Sequence, residues 1–216
     1  MVDLPLMARL FAATPPGARV VLLGDPHQLA SVETGGVFGD LAAAPALGPG
    51  RVTLTGSGRL PAGIARLTRA INAGDADEAL RALDEEPDLA LLDPGDGRRG
   101  LAQALAEPVR QGFGPVLCVH RRGDRGVQGV SAVIEGLLRD AGPDEPVFAT
   151  TVHEAQDRER VVVVLPEGPS PLLTRELLYT AVSRARRSVL VVGSEARIRE
   201  AVSTPTRRMS DLARHL

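Results

Sequence analysis

The stretch Arg160-Val161-Val162-Val163-Val164-Leu165 predicts a β-strand, because it is a short run of β-branched and apolar residues. A second apolar run at residues 189–192 predicts another strand. Residues 174–186, between the two, predict a helix with Thr174 as its N-cap and Glu176 in its first turn. Strands that alternate with helices are typical of a parallel sheet. The sequence therefore predicts an α/β fold built on a parallel sheet.

The same alternation extends along the rest of the chain. We predict strands at residues 19–23, 52–54, 89–92, 114–120 and 147–152, and helices at residues 2–13, 64–73, 76–83, 99–111, 129–140 and 195–202. The apolar run at residues 19–23 suits a strand buried on both faces of a parallel sheet. Proline and glycine cluster at residues 45–51 and predict a linker. We expect domains at residues 1–48 and 52–203, followed by a polar tail at residues 204–216.

The composition limits the possible functions. Net charge is −2 and aromatic residues make up 2% of the 216-residue chain. A generally basic nucleic-acid binder and a module that stacks bases on several rings are therefore disfavoured. All 25 basic residues are arginine, so this chain cannot supply the lysine of a phosphate loop. Cys118 lies alone in an apolar run and is expected to be a small buried hydrophobe. Neither a membrane-spanning run nor a signal-peptide pattern is present, so we expect a cytoplasmic protein.

Two motifs follow predicted strands in the first part of the chain. Residues 24–29 (GDPHQL) place a carboxylate and an amide at a strand end, where parallel sheets bind ligands. A turn capped by Asp25 explains this motif equally well. Residues 54–60 (LTGSGRL) place Arg59 among small residues, from which it can reach a phosphate. Taken alone, this second motif is better explained as a flexible turn with a solvated arginine.

Two further motifs lie in the second part. Residues 150–156 (TTVHEAQ) offer hydroxyls, a histidine and backbone N–H groups, which suit contacts to a nucleic-acid backbone. His153 is equally an ordinary loop histidine. In residues 178–187 (LYTAVSRARR), Tyr179, Ser183 and Arg187 would share one helix face. An arginine cluster at a helix end is usually solvated. The small residues beside Arg184 instead indicate an arginine that is held rigidly.

In this order, the motifs GDxxQL, LxxSxR, TVHxxQ and YTAVSRAR resemble motifs III, IV, V and VI of the RecD-type superfamily 1 helicases. Each motif is weak alone, but four ordered motifs with matching spacers argue against coincidence. The resemblance extends from Met1 to about Val202. It implies a RecA-like, P-loop NTPase-type motor domain, preceded by the end of a first RecA-like domain. It also implies a machine that uses ATP and Mg²⁺ to move 5′ to 3′ along single-stranded DNA.

The resemblance assigns roles to individual residues. It implies a nucleotide group composed of Gly24, Asp25, Gln28, Arg59, Glu159 and Arg184. It implies a DNA-backbone group composed of Thr151, His153 and Gln156. Gln28 would sense the γ-phosphate, and Arg59 and Arg184 would stabilise charge on the transferring phosphoryl group.

This chain also departs from the family pattern. The acidic box that holds magnesium is expected upstream of Met1, so we expect no metal ligands here and no stable binding of ATP and Mg²⁺ by this chain alone. The SH3-like insertion of the family is replaced by residues 141–146. In motif V, Glu154 and Ala155 replace Lys-Ser, and Asp157 replaces Gly. An acid in place of a base is expected to weaken phosphate contacts.

Three hypotheses follow from these observations. The first is an inactive part of a RecD-like helicase that acts in recombination and double-strand-break repair. Its partners would be single-stranded DNA and either RecB/RecC-like subunits or a chain that carries the missing half. The second is a non-enzymatic RecA-like interaction module in such a complex. The third is an unrelated α/β nucleotide-binding protein with chance motifs.

Overall fold

The computed structural model describes residues 4–29, 37–54, 60–139 and 147–206. The chain divides into two compact units. The first, here called the N-terminal unit, comprises residues 1–56 and 206–216. The second, here called the sheet unit, comprises residues 57–205. Most of the predicted polar tail, from residue 207 onward, and the turn at residues 141–146 lie outside the described residues.

The described part of the N-terminal unit is helical where it has regular structure. It contains α1 (Leu4–Ala13), α2 (Val37–Ala43) and a 3₁₀ helix (Pro45–Gly50). The first helix was predicted from the sequence at residues 2–13 and is confirmed. The 3₁₀ helix occupies the Pro/Gly-rich stretch that predicts a linker, with prolines at its start and inside it.

Two strand predictions in the N-terminal unit are wrong. Residues 19–23 and 52–54 form no strand. Leu23 is 90% exposed and Leu54 is 88% exposed. A strand requires a hydrogen-bonding neighbour, and the described residues of this unit contain no strand that could pair with either segment. Local apolar character alone was therefore not sufficient to form a strand.

The sheet unit alternates helices and strands as predicted. Its helices are α3 (Ala62–Ala73), α4 (Ala76–Glu85), α5 (Gly97–Arg110), α6 (Val127–Leu138), α7 (Arg175–Ser183) and α8 (Glu195–Ser203). Its strands are β1 (Leu89–Leu92), β2 (Val116–Cys118), β3 (Ala149–Thr151), β4 (Arg158–Val164) and β5 (Ala185–Val192). All pairs are parallel and the spatial order is β1-β5-β4-β2-β3. The predicted parallel α/β fold is confirmed.

The centre of the sheet is buried on both faces. Val161, Val162, Val163 and Val164 of β4 are all 0% exposed. Val162 and Val164 belong to a core cluster with residues of α5 and α6, such as Leu105. Helices α3 and α7 pack on β5, and α7 also packs on β4. Burial on both faces explains why these strands are continuous apolar runs without polar alternation.

One helix prediction was too long. The helix predicted at residues 174–186 ends at Ser183, and Ala185 already pairs with Arg158 as the first residue of β5. Arg187 therefore lies on a strand and does not share a helix face with Tyr179 and Ser183. The pairing of β5 with β4 begins at Ala185 and overrides the local helical tendency. The predicted N-cap is confirmed, because the Thr174 hydroxyl accepts from the Leu177 N–H at 3.3 Å.

Cys118 is buried in β2, as predicted. Burial raises the pKa of its thiol to about 12, so the thiol remains protonated and unreactive at neutral pH. Within the described ranges, no helix has both the length and the apolar character required to cross a membrane.

Candidate functional site

The motif at residues 24–29 forms a tight turn in the N-terminal unit. The Asp25 carboxylate accepts from the His27 N–H at 2.9 Å, and the Gln28 N–H donates to the Asp25 carbonyl at 3.4 Å. A side chain added at Gly24 would come within 3.1 Å of the Phe38 ring. Asp25 therefore caps the turn, as the simpler of the two sequence interpretations predicted. Gln28 is exposed at the end of this turn.

Arg59 and its neighbours at residues 55–59 lie outside the described residues. The structure therefore gives no geometry for Arg59, and its role remains a prediction. Gln28 belongs to the N-terminal unit, whereas Arg184 belongs to the sheet unit.

Strands β2 and β3 carry polar groups at their carboxyl ends. Thr150 and Thr151 end β3, and Arg121 lies three residues after the end of β2. Glu154 joins them, because it accepts from the Arg121 guanidinium at 2.6 Å and from the Thr151 hydroxyl at 3.1 Å. The Thr150 hydroxyl approaches the same carboxylate at 3.4 Å. Here we call these four residues the carboxyl-edge cluster.

His153 and Gln156 are exposed beside this cluster. Partial desolvation lowers the pKa of His153, with Arg121 acting in the same direction and Glu154 opposing it. A histidine whose pKa is lowered from its ordinary value is mostly neutral at pH 7. His153 therefore offers hydrogen bonds at this edge and no fixed positive charge.

A buried arginine links the loops that follow three strands at the same edge. Arg125, whose side chain is 7% exposed, donates to the Gly95 carbonyl and lies 3.6 Å from the Glu167 carboxylate. Glu167 in turn accepts from the Gly97 N–H at 2.7 Å. These contacts connect the loops after β1, β2 and β4 and hold the carboxyl edge of the sheet in a fixed shape.

Arg184 occupies the opposite edge, between the end of α7 and the start of β5. Its carbonyl accepts from the Arg158 N–H at 2.9 Å, which fixes its backbone at the beginning of the sheet. Its side chain is 24% exposed, and one guanidinium nitrogen lies 3.4 Å from the Asp157 carboxylate. The Nε of Arg184 is buried without a hydrogen-bond partner among the described residues. Arg184 is thus held in place while it retains donor capacity.

Asp157 also faces a second arginine. Arg186 lies 3.7 Å from Asp157, so one carboxylate lies between two guanidinium groups. Glu159 is exposed nearby, at an irregularity in the pairing of β4 with β5 between Arg158 and Arg160.

The predicted site residues of the sheet unit therefore separate into two places. Thr151 aligns through β2 and β4 with Val192, whereas Arg184 precedes Ala185, seven residues earlier on β5. At about 3.3 Å per residue, the positions of Thr151 and Ala185 along the strand direction are about 23 Å apart. The DNA-backbone candidates and the candidate arginine finger thus lie at opposite edges of one rigid sheet.

The sequence interpretation missed Arg121. Its signal was present, since Arg121 and Arg122 directly follow the run predicted as a strand at residues 114–120. Its partner Glu154 lies 33 residues further along the chain. Among the described residues, no group of three or more His, Cys, Asp or Glu side chains is placed to hold a metal ion.

Comparison with known proteins gives two family matches. The family described as "AAA domain" matches residues 1–92. The family described as "UvrD-like helicase C-terminal domain" matches residues 146–192, which include the carboxyl-edge threonines, Asp157 and Arg184. Both families have RecA-like P-loop folds.

Curated relatives match over the whole chain or nearly so. The RecBCD enzyme subunit RecD of Mycolicibacterium smegmatis is 33% identical over 295 residues, which covers 100% of this chain and 52% of the relative. The same subunit of Haemophilus influenzae is 25% identical over 338 residues, covering 100% and 53%. The chain is thus homologous to the RecD subunits over its whole length.

A third relative extends the comparison to a differently named protein. The ATP-dependent RecD2 DNA helicase of Deinococcus radiodurans is 29% identical over 266 residues, or 92% of this chain and 37% of the relative. The chain spans about half the length of the RecD subunits it matches. These matches confirm the sequence resemblance and the RecA-like fold, and they exclude the hypothesis of chance motifs.

Proposed function

We propose that this chain supplies the second half of a RecD-like, ATP-driven DNA helicase. In this proposal Arg184 stabilises charge on the γ-phosphoryl group of ATP bound by another domain or chain, and motif V contacts single-stranded DNA. The observation that best supports the proposal is the structural environment of Arg184. Its backbone is fixed at the start of β5, its side chain is three-quarters buried, and its Nε has no partner among the described residues. An arginine held in this way is suited to act on a phosphoryl group.

The nucleotide group proposed for this chain includes no metal ligand and no phosphate-loop lysine. No described acidic cluster is placed for Mg²⁺, and the sequence contains no lysine for a phosphate loop. We therefore infer that this chain alone does not turn over ATP. Gln28 and Arg59 remain proposed γ-phosphate contacts, with Gly24, Asp25 and Glu159 proposed beside the nucleotide.

The proposed partners are RecB/RecC-like subunits and the segment or chain that carries the other half of the motor. The exposed apolar residues of the N-terminal unit support this proposal. Leu6, Leu10, Phe11, Val21 and Leu23 are each at least 44% exposed. Exposed apolar side chains that form one continuous patch typically mark a contact with another protein segment. The alignment with the Mycolicibacterium relative is also longer than this chain, which agrees with an insertion that is absent here.

The test is a trans-complementation assay of ATP hydrolysis. The chain is assayed with single-stranded DNA, alone and mixed with the part of the Mycolicibacterium RecD that it does not match. We expect no turnover alone and DNA-stimulated turnover in the mixture. Arg184→Ala should reduce turnover by roughly 10³-fold or more, as for other arginine fingers. The matched control Arg186→Ala removes a neighbouring arginine that also faces Asp157 and should change turnover by less than about threefold. Turnover by the chain alone, or equal effects of the two substitutions, would contradict the proposal.

A second candidate, the non-enzymatic interaction module, is favoured by one observation. The two acids that depart from the family pattern are both paired: Glu154 with Arg121, which follows β2, and Asp157 with Arg184 and Arg186 of motif VI. If this candidate holds, the mixture will form a complex on size-exclusion chromatography without hydrolysing ATP.

A further inference from the structure

The carboxyl-edge cluster has the chemistry of an anion-binding cradle. Three donors from two strand ends converge on one carboxylate: the Arg121 guanidinium at 2.6 Å, the Thr151 hydroxyl at 3.1 Å and the Thr150 hydroxyl at 3.4 Å. One cationic fork with two hydroxyls is also a donor set that binds phosphate oxygens. The cradle is filled in this structure by an acid of the same chain.

The contacts of the cradle favour the ionised form of the Glu154 carboxylate. The Thr151 hydroxyl, followed by Arg121, lowers the pKa of Glu154 from its ordinary value. The cradle thus stabilises negative charge at neutral pH, as it would for a phosphate.

The cradle is both fixed and open to solvent. Thr151 is buried at the end of β3, so its hydroxyl is positioned by the sheet. Arg121 is 74% exposed in its side chain and Glu154 is 51% exposed. Exposed ion pairs of this kind contribute little to folding. The Glu154 side chain can therefore leave the cradle without disturbing the fold.

We propose that Arg121, Thr150 and Thr151 form a binding cradle for a backbone phosphate of single-stranded DNA, and that Glu154 closes it by occupying the phosphate position. This inference rests on the proposed function, since it concerns the DNA contact of motif V, and it adds Arg121 as a phosphate contact. Glu154 stands where the family resemblance places a lysine, so the same position changes from a phosphate partner into a phosphate mimic.

The experiment measures binding of a fluorescein-labelled oligothymidylate to the full chain by fluorescence anisotropy, across a range of NaCl concentrations. Glu154→Ala empties the cradle. The matched control is Glu107→Ala, which removes an equally charged, exposed acid from its pair with Arg110 on α5. We expect Glu154→Ala to bind roughly 3- to 10-fold more tightly at low salt. One added phosphate contact should make the salt dependence steeper by about 0.7 in logarithmic slope. The control should leave both quantities close to those of the unmodified chain.

Arg121→Ala tests the role of the cradle directly. It should abolish the gain in the Glu154→Ala background, because the emptied cradle then lacks its cationic donor, and it should weaken binding by the unmodified chain, because the Glu154 charge is then left unneutralised. Equal gains in Glu154→Ala and Glu107→Ala would show a general charge effect and overturn the cradle while leaving DNA binding intact. An oligonucleotide that binds neither the unmodified chain nor Glu154→Ala would overturn both the cradle and the proposed DNA contact. The complementation assay with Arg184→Ala tests the ATP part separately.

Inorganic phosphate distinguishes a free-anion site from a DNA site. At matched ionic strength, phosphate should compete only weakly with the oligonucleotide on Glu154→Ala, because a DNA strand also contacts residues beside the cradle. If phosphate binds Glu154→Ala but the oligonucleotide shows no gain, the cradle is a free-anion site and the DNA assignment is wrong.

Discussion

Two short apolar segments, one in each unit of this chain, adopt different structures. In the N-terminal unit the run at residues 19–23 remains unpaired, and Leu23 is 90% exposed. In the sheet unit the comparable run in β4 is paired on both sides, and Val161 to Val164 are 0% exposed. The difference lies in the neighbours, since β4 lies between β2 and β5. A paired sheet is therefore present in one unit, while the apolar run in the described residues of the other unit remains exposed.

The largest expected effect is on the free energy of unfolding, from a substitution in the core of the sheet unit. Leu105 on α5 is 0% exposed within the main cluster, so Leu105→Ala should lower the free energy of unfolding by about 2–5 kcal/mol. Leu23→Ala in the N-terminal unit should change it by less than about 0.5 kcal/mol, because Leu23 is exposed. Urea titrations followed by circular dichroism measure both changes in the free energy of unfolding. A similar loss for the two substitutions would show that Leu23 is part of a packed core.

The next prediction compares the stability changes caused by substituting two glycines that share a left-handed backbone conformation. Gly17 in the N-terminal unit has φ 81°, and a Cβ added there would meet no other atom within 4 Å. Gly74 caps α3 with φ 76°, and a Cβ added there would come within 2.7 Å of the Arg175 guanidinium. Gly74→Ala should destabilise the sheet unit by about 1–2 kcal/mol, from the backbone strain and the collision together. Gly17→Ala should leave the main thermal transition unchanged. A larger shift for Gly17→Ala would contradict the description of the two units.

A smaller effect concerns the acid that faces Arg184. Asp157→Ala removes the carboxylate between Arg184 and Arg186. A partly exposed pair of this kind contributes about 0–1 kcal/mol. Releasing Arg184 should thus raise turnover in the complementation assay by up to about fivefold. Reduced turnover would show that Asp157 positions Arg184 instead of neutralising it.

The smallest effect is a pH dependence at the carboxyl edge. The pKa of Glu154 is lower in the folded chain than its ordinary value of 4.5. Its contribution to stability is therefore present above that value and is lost as the pH falls through the lower, folded pKa. The difference in unfolding midpoint between the unmodified chain and Glu154→Ala should be present at pH 7 and disappear in stronger acid. A difference that persists in strong acid would contradict the charged contact.

Much of the sheet unit was predictable from sequence, because its apolar runs and caps agree with its tertiary structure. The strand at residues 89–92 was predicted with the bounds that the structure shows, and α3 ends at Ala73, as predicted. Pairing was not predictable, since it depends on distant residues. For this reason the segment at 19–23 was wrongly predicted as a strand, and β5 was found to begin at Ala185 within a predicted helix.

The candidate site was predictable only as separate motifs. Thr151, His153 and Arg184 were chosen from local patterns, and the structure places them at strand ends. Their partners were not predictable, because the Arg121–Glu154 and Arg184–Asp157 contacts span 33 and 27 residues. Charge pairs of that separation arise from the topology of the sheet.

Hydrogen exchange of the full chain tests the contrast between the two units most directly. We expect the amides of residues 161–164 and 189–192, which lie in paired strands, to exchange over hours. We expect the amides of residues 20–23 and 52–54 to exchange as fast as those of an unfolded chain. Protection at residues 20–23 comparable to that at residues 161–164 would show a paired strand in the N-terminal unit. That result would contradict the finding that the described residues of the N-terminal unit contain no strand.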